Sequence, residues 1–306
     1  MMIRLALLSE YDSSRFDSDK SRWMNACARL RGVQITAAAA SWPELESNHP
    51  DRFDAVILSA PPLRRPELAA TIARARKHLL IEGLPVETSG DFEPLGKLFV
   101  QHGLRLMIGE SLRYDPGVMS VKSALDTARL GRPALLRTHA WLSSDQVGDS
   151  HRQLLQQLDL AAWIYQTLPT EVYALRHGKR SDLRQVHLGF PESSMAIITL
   201  SESLPPGDRY HSYTLIGTTG AAYADDHRQM QLLFQGGSPK AKRTGMGILR
   251  EVEELREFLA AIDEKRLPTI SGSAVEQSLL LADAVRQSID LRQPLQLQGG
   301  RYVPFA

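Results

Sequence analysis

The chain has 306 residues, a formal charge of +1, 43% hydrophobic and 23% charged residues, which suffices for one large or two medium domains. So small a net charge argues against general binding to nucleic acid or membrane surfaces, and no apolar run approaches the ~18 residues of a membrane span. The start of the chain lacks a basic region followed by a long apolar core, and the single cysteine, Cys27, allows no internal disulfide; both fit a protein of the reducing cytoplasm.

Taken in order, residues 3–8 (IRLALL) form an apolar run that predicts a central parallel strand. The polar stretch SEYDSSRFDSDKSRW reads as a loop, and a helix follows from about Lys20 to Leu30, ended by Gly32. Cys27 lies in the apolar part of that helix and reads as buried filler. Residues 33–39 are a second strand, and 41–52, with Pro43 and Pro50, read as a loop with a short helical turn. From Phe53 the pattern is strand, helix, strand, helix, strand. Residues 55–59 are closed by Pro61 and Pro62, and Leu68, Ile72, Ala73 and Ala75 follow at helical spacing. Residues 78–81, 92–102 and 104–108 complete the series. Short apolar strands alternating with helices signal βαβ units on a parallel sheet. The predicted fold is therefore α/β, with a Rossmann-like doubly wound sheet over residues 1–116. Its strand ends carry Ser59, Glu82 and Glu110, and ligands of such sheets bind beside the carboxyl ends of strands.

After Pro116 the pattern changes. Residues 118–129 are helical, 134–141 a strand and 151–165 a helix with Leu154, Leu155, Leu158, Ala162 and Ile164 as apolar positions. Strands are expected near 171–175, 185–188, 195–201, 210–216, 221–224 and 230–234, with PKAKR at 239–243 a solvated loop. Consecutive strands with tight connections imply an open, mainly antiparallel sheet. Helices at 248–265 and 274–291 and a strand at 294–297 finish an α+β domain, residues 117–306, for substrate binding and oligomerisation.

Several short segments, in this order, resemble the glucose–fructose oxidoreductase / inositol dehydrogenase (Gfo/Idh/MocA) family. They are DAVILSAPP, ARKHLLIEGLP (against a family pattern close to GKHVLVEKPL), LRLMIGESLRYDP, ARLGRPALLRTHAW, DLAAWIYQTLPTEVYA, YTLIGTTGAAYADD and SGSAVEQSLLLADAVRQSIDLRQPLQL. The resemblance implies hydride transfer between NAD or NADP and a sugar, polyol or related carbonyl compound. It also implies a final helix that can pack back on the first domain. The open sheet face would make a homodimer or another oligomer, or a hetero-oligomer with an active paralogue.

The motifs that carry this chemistry depart from the family pattern. The turn after the first strand has no glycine, although G-x-G-x-x-G glycines are what let backbone reach a pyrophosphate at a helix N-terminus. Ser9, Ser13, Ser14 and Arg15 are the candidate phosphate ligands that remain, with Ser59, Pro61 and Glu82 at the expected nicotinamide pocket. The second strand ends in alanines and Ser41, with neither the acid that reads ribose hydroxyls nor the arginine that reads a 2′-phosphate. Glu82 is followed by Gly83 where the family has a lysine. Counting back from Asp159-Leu160 puts Gln156 at the family's His position and Arg152 at its Asp position, and an amide cannot shuttle protons as imidazole does. The catalytic candidates are Glu82, Glu110, Tyr114, Arg152 and Gln156. No metal-ligand spacing and no Gly-x-Ser-x-Gly motif occurs. The sequence thus reads as a catalytically degenerate member acting as a non-catalytic partner or small-molecule binder. The alternatives are an active oxidoreductase with atypical motifs, or lyase-type chemistry by the Glu82/Glu110 pair.

Overall fold

The computed structural model describes residues 2–49, 52–109, 111–143, 149–177, 183–227, 229–245 and 250–305. The chain begins β1 (Ile3–Ser9), α1 (Ser13–Cys27), β2 (Val33–Ala39), α2 (Trp42–Asn48), β3 (Ala55–Ser59), α3 (Arg65–Arg74), β4 (His78–Glu82), α4 (Ser89–Gln101) and β5 (Leu106–Gly109). It continues α5 (Pro116–Asp126), β6 (Pro133–Ser143), α6 (Asp149–Tyr165), β7 (Glu171–His177), β8 (Leu183–Phe190), β9 (Ser194–Leu204), β10 (Tyr210–Gly217) and β11 (Ala221–Asp225). Last come β12 (Met230–Phe234), β13 (Lys240–Arg243), α7 (Arg250–Asp263), α8 (Ser273–Leu291), β14 (Leu295–Gln298) and β15 (Arg301–Pro304). Two compact units result: Met1–Tyr114 with Ile248–Glu276, and Asp115–Gly247 with Gln277–Ala306. The first unit thus takes in α7, which lies beyond the 1–116 span read from the sequence.

The first unit is the expected doubly wound sheet, five parallel strands in the order β2-β1-β3-β4-β5. Nearly every residue of β1, β3, β4 and β5 is buried, which is why the strands read as continuous apolar runs. Trp23, Ala26 and Cys27 of α1 pack with Val252, Leu255, Phe258 and Ile262 of α7 over Leu5, Leu7, Ile57, Leu80 and Met107. The chain moves outward from β1 to β2 and then crosses back to β3. Right-handed crossovers therefore put α1 on one face and α2, α3 and α4 on the other. The reversal between β1 and β3 is the topological switch point, where the carboxyl ends of two neighbouring strands leave a crevice.

One sequence expectation fails here. Helix α1 starts at Ser13, not near Lys20, so the turn after β1 consists of Glu10, Tyr11 and Asp12 alone. The Asp12 carboxylate caps it, accepting from the Arg15 amide at 2.9 Å. Its early turns are mostly exposed and polar, and no apolar period announced them.

The second unit carries a ten-stranded sheet in the order β13-β12-β11-β10-β6-β9-β8-β7-β14-β15. All pairs are antiparallel except β6 with β9. The expected loop at 239–243 is in fact the edge strand β13, hydrogen-bonded to β12 with all four residues exposed. Its lysines suit an edge, because charge discourages further strand pairing. A strand absent from the sequence reading, β15, returns from β14 through Gly299 and Gly300, both at positive φ as primed hairpin turns require.

Candidate functional site

The site is built from the carboxyl ends of β1, β3 and β4. Ser9 and Ser59 are register partners across the switch point, and the Glu10 amide donates to the Ser59 carbonyl at 2.9 Å. Both hydroxyl-bearing residues are buried. The Ser9 hydroxyl donates to Asp19 Oδ2 at 2.8 Å, and Arg22 donates to Asp19 Oδ1 at 3.0 Å. The same Arg22 guanidinium bonds Glu82 and lies 3.6 Å from Glu251. Asp19 is 1% exposed and Glu82 3%, so Arg22 neutralises carboxylates that water scarcely reaches. Burial alone would lower the Arg22 pKa, but Glu82, Asp19 and Glu251 together hold it above its ordinary value. Ser9 and Glu82 therefore stand at the predicted strand ends while serving an internal ion-pair network. Neither Asp19 nor Arg22 was singled out by the sequence. Their spacing of three residues is ordinary for a solvated helix face, and their partners are remote in the chain.

The α1 N-terminus is where a dinucleotide fold seats its pyrophosphate. Ser13, Ser14 and Arg15 form its exposed first turn. Arg15 is turned to Asp19, 3.2 Å from its carboxylate, and lies over the Tyr11 ring at 5.6 Å. Asp12 already occupies the Arg15 amide, and Glu10 accepts from Arg64 Nε at 3.0 Å. The position that needs bare amides and close backbone approach thus carries two carboxylates and no glycine. At the end of β2, Ala37–Ala39 offer no ribose reader. These residues do not fit a dinucleotide held in the glycine-turn mode.

At β3 and β4 the sequence reading missed the most informative side chain. Pro61 begins a short 3-10 turn, its carbonyl accepting from the Arg64 amide at 2.9 Å, and α3 follows from Arg65. Arg65 folds back across the strand ends, donating from Nε to the Ala60 carbonyl at 2.8 Å and from Nη1 to the Leu84 carbonyl at 3.3 Å. Gly83 has φ +80°, and a Cβ on it would lie 2.5 Å from Arg65 Nη1 and 3.0 Å from Cζ. The only signal in the sequence is Gly83 itself, a residue whose missing side chain leaves room for something else.

Of the remaining candidates, Glu110 lies outside the described residues. Tyr114 closes the first unit: its hydroxyl is 2.9 Å from Thr269 Oγ1, and burial raises the phenol well above its ordinary pKa. Arg152 and Gln156 sit one turn apart on α6 in the second unit, both half-buried. On the same helix Gln153 bonds His211 Nε2 at 3.3 Å, while His211 Nδ1 is 3.1 Å from Asp226. His139 is a half-buried sheet residue packed edge-on to Trp141, and burial with the nearby Arg137 charge lowers its pKa. Cys27 is buried, which pushes its thiol up to about 11 and makes it a poor nucleophile. Among the described residues no cluster of His, Cys, Asp and Glu could hold a metal ion.

A Rossmann-type unit followed by an α+β unit on an open sheet defines a class of two-domain oxidoreductase folds. The sequence matches no family model. It is 24% identical to the uncharacterized oxidoreductase YrbE of Bacillus subtilis (strain 168) over 84% of this chain and 82% of that protein. It is 22% identical to myo-inositol 2-dehydrogenase of Thermotoga maritima over 80% of each. The fold matches that of levoglucosan dehydrogenase, solved in complex with NADH and levoglucosan, with TM-score 0.81 at 13% identity over 96% of this chain and 99% of that one. These relatives and structure neighbours are inositol and sugar dehydrogenases of the Gfo/Idh/MocA type, and the low identity fits a divergent member of that group.

Proposed function

We propose that this chain keeps the oxidoreductase fold without its dinucleotide chemistry, acting as a small-molecule binder or as the non-catalytic partner of an active paralogue. The observation that carries the reading is the remodelled α1 N-terminus, where Asp12 and Glu10 stand in place of a glycine turn. Anions at a helix N-terminus gain from the exposed amides and the dipole. Two resident carboxylates oppose that gain. The replacement of the family's lysine by Gly83 and of its histidine by Gln156 agrees with the loss. The ligand space that remains is the switch-point crevice beside β1, β3 and β4.

Fluorescence titration and calorimetry with NADH and NADPH test this. The expected result is no saturable binding up to millimolar concentration. Tight binding, at the micromolar dissociation constants usual for working dehydrogenases, would establish instead an active enzyme with an atypical cofactor turn. For the association, the surface we assign is the open face of the ten-stranded sheet. It presents Trp141, Leu175, Leu183, Met195, Ile216 and Phe234, each at least 37% exposed.

A further inference from the structure

Arg65 differs from the other arginines around the strand ends. Arg22 is matched by Asp19, Glu82 and Glu251, and Arg64 by Glu10 and Glu67. Arg65 has no carboxylate partner among the described residues; its contacts are the Ala60 and Leu84 carbonyls. Neutral carbonyls fix a guanidinium in place without cancelling its charge. They use two of its five N–H groups and leave the Nη2 amine, 3.2 Å from where a Gly83 Cβ would stand, uncommitted. The side chain is half-buried, which strengthens any charge-assisted hydrogen bond it makes. Arg65 is also the first residue of α3, where the helix dipole disfavours a cation. Stability alone gives no reason to put there a positive charge that no described carboxylate matches.

We propose that Arg65 is an anion-binding group at the carboxyl ends of β3 and β4, selecting a small molecule that bears a carboxylate or phosphate. The inference rests on reading the crevice as a small-molecule site. Gly83 belongs to the same device. Its positive φ and missing Cβ create the space the guanidinium fills, so any side chain at 83 displaces Arg65. The two carbonyl contacts hold the fork before the ligand arrives, so little side-chain freedom is lost on binding.

Calorimetry and thermal-shift measurements on the full chain, in buffer free of other oxyanions, use D-gluconate, inorganic phosphate and neutral myo-inositol as probes. Gluconate or phosphate is expected to bind the native protein. Arg65→Gln should weaken that binding by about tenfold or more, the equivalent of one charge-assisted hydrogen bond. Arg65→Lys should retain part of it, and Gly83→Ala should weaken it with Arg65 still present. Preference between the two anions identifies the charged group. The inference is overturned if neither anion binds the native protein. It is also overturned if Arg65→Gln lowers the melting temperature but leaves the anion affinity unchanged, as a purely structural clamp would. Should myo-inositol bind native and Arg65→Gln protein alike while the anions do not, the small-molecule reading survives and the role of Arg65 does not.

Discussion

Arg22 decides how the strand-end residues are used. Removing one member of a buried ion pair leaves the others charged in a medium that solvates them badly, at a cost of about 3 kcal/mol or more. Arg22→Met keeps the stem that packs beside Trp23, whose ring lies 5.4 Å from the guanidinium, and deletes only the charge. It is therefore expected to destabilise by about that amount, read as a lower urea midpoint with unchanged slope. A loss below about 1 kcal/mol, the range of surface pairs, would show that the network is solvated rather than buried. The example also shows what a sequence can carry about a site. That Ser9, Ser59 and Glu82 close strands was legible, because continuous apolar runs end there. That Ser9 turns to Asp19 and Glu82 to Arg22 was not, since the second pair is separated by 60 residues and only the folded sheet brings them together. Arg65 was hidden for a related reason. A cation beside two prolines reads as a surface residue until the backbone folds it over Gly83.

Among the elements, β4 holds a pH dependence. His78, its first residue, accepts the Arg105 amide on Nδ1 at 2.9 Å, which requires an unprotonated nitrogen. Burial, reinforced by the Arg105 charge, lowers its pKa below the ordinary value, with a smaller opposing pull from Asp54. A histidine whose folded pKa is depressed favours the native state fully above its unfolded value of about 6.5. That contribution is lost as pH falls from there towards the folded value. Urea midpoints should therefore decline more steeply below about pH 6.5 in the native protein than in His78→Asn, and identical slopes would remove His78 from the account. His139, lowered in the same direction, contributes equally to both proteins, so the difference isolates β4. Elements of this kind were the legible ones: β1, β3, β4 and β5 are buried on both faces and read as strands at once. The elements misjudged or missed are those whose register is set by something other than apolar period. Helix α1 is begun by the Asp12 cap, β13 is an all-exposed edge, and β15 depends on a diglycine turn.

For the molecule as a whole, the second unit leaves apolar side chains exposed on one face of its sheet. Strand alternation sends Leu136, Ala140, Ile198, Leu200 and Leu215 inward, where they are buried, and their neighbours outward. On the outward side Met195, Leu135 and Ile216 are register partners across β9, β6 and β10, in one apolar row that continues through Ala221 to Phe234 on β11 and β12. Met195 is 46% exposed, Ile216 40% and Phe234 41%, with Leu135 and Ala221 half-buried between them, and this row is the surface we assign to association. A second copy presenting the same row would remove it from water, and each square ångström of apolar surface so buried contributes roughly 25 cal/mol. The expected state is a dimer at micromolar concentration. Because the row is apolar, the association should change little with salt. Charges of opposite sign placed in the row, Met195→Glu with Ile216→Lys, should convert the dimer to a monomer whose circular dichroism is that of the native protein. Light scattering with size exclusion reads both results. A native protein that is monomeric alone at micromolar concentration, and stays so after mixing with an active paralogue, removes this face as an interface.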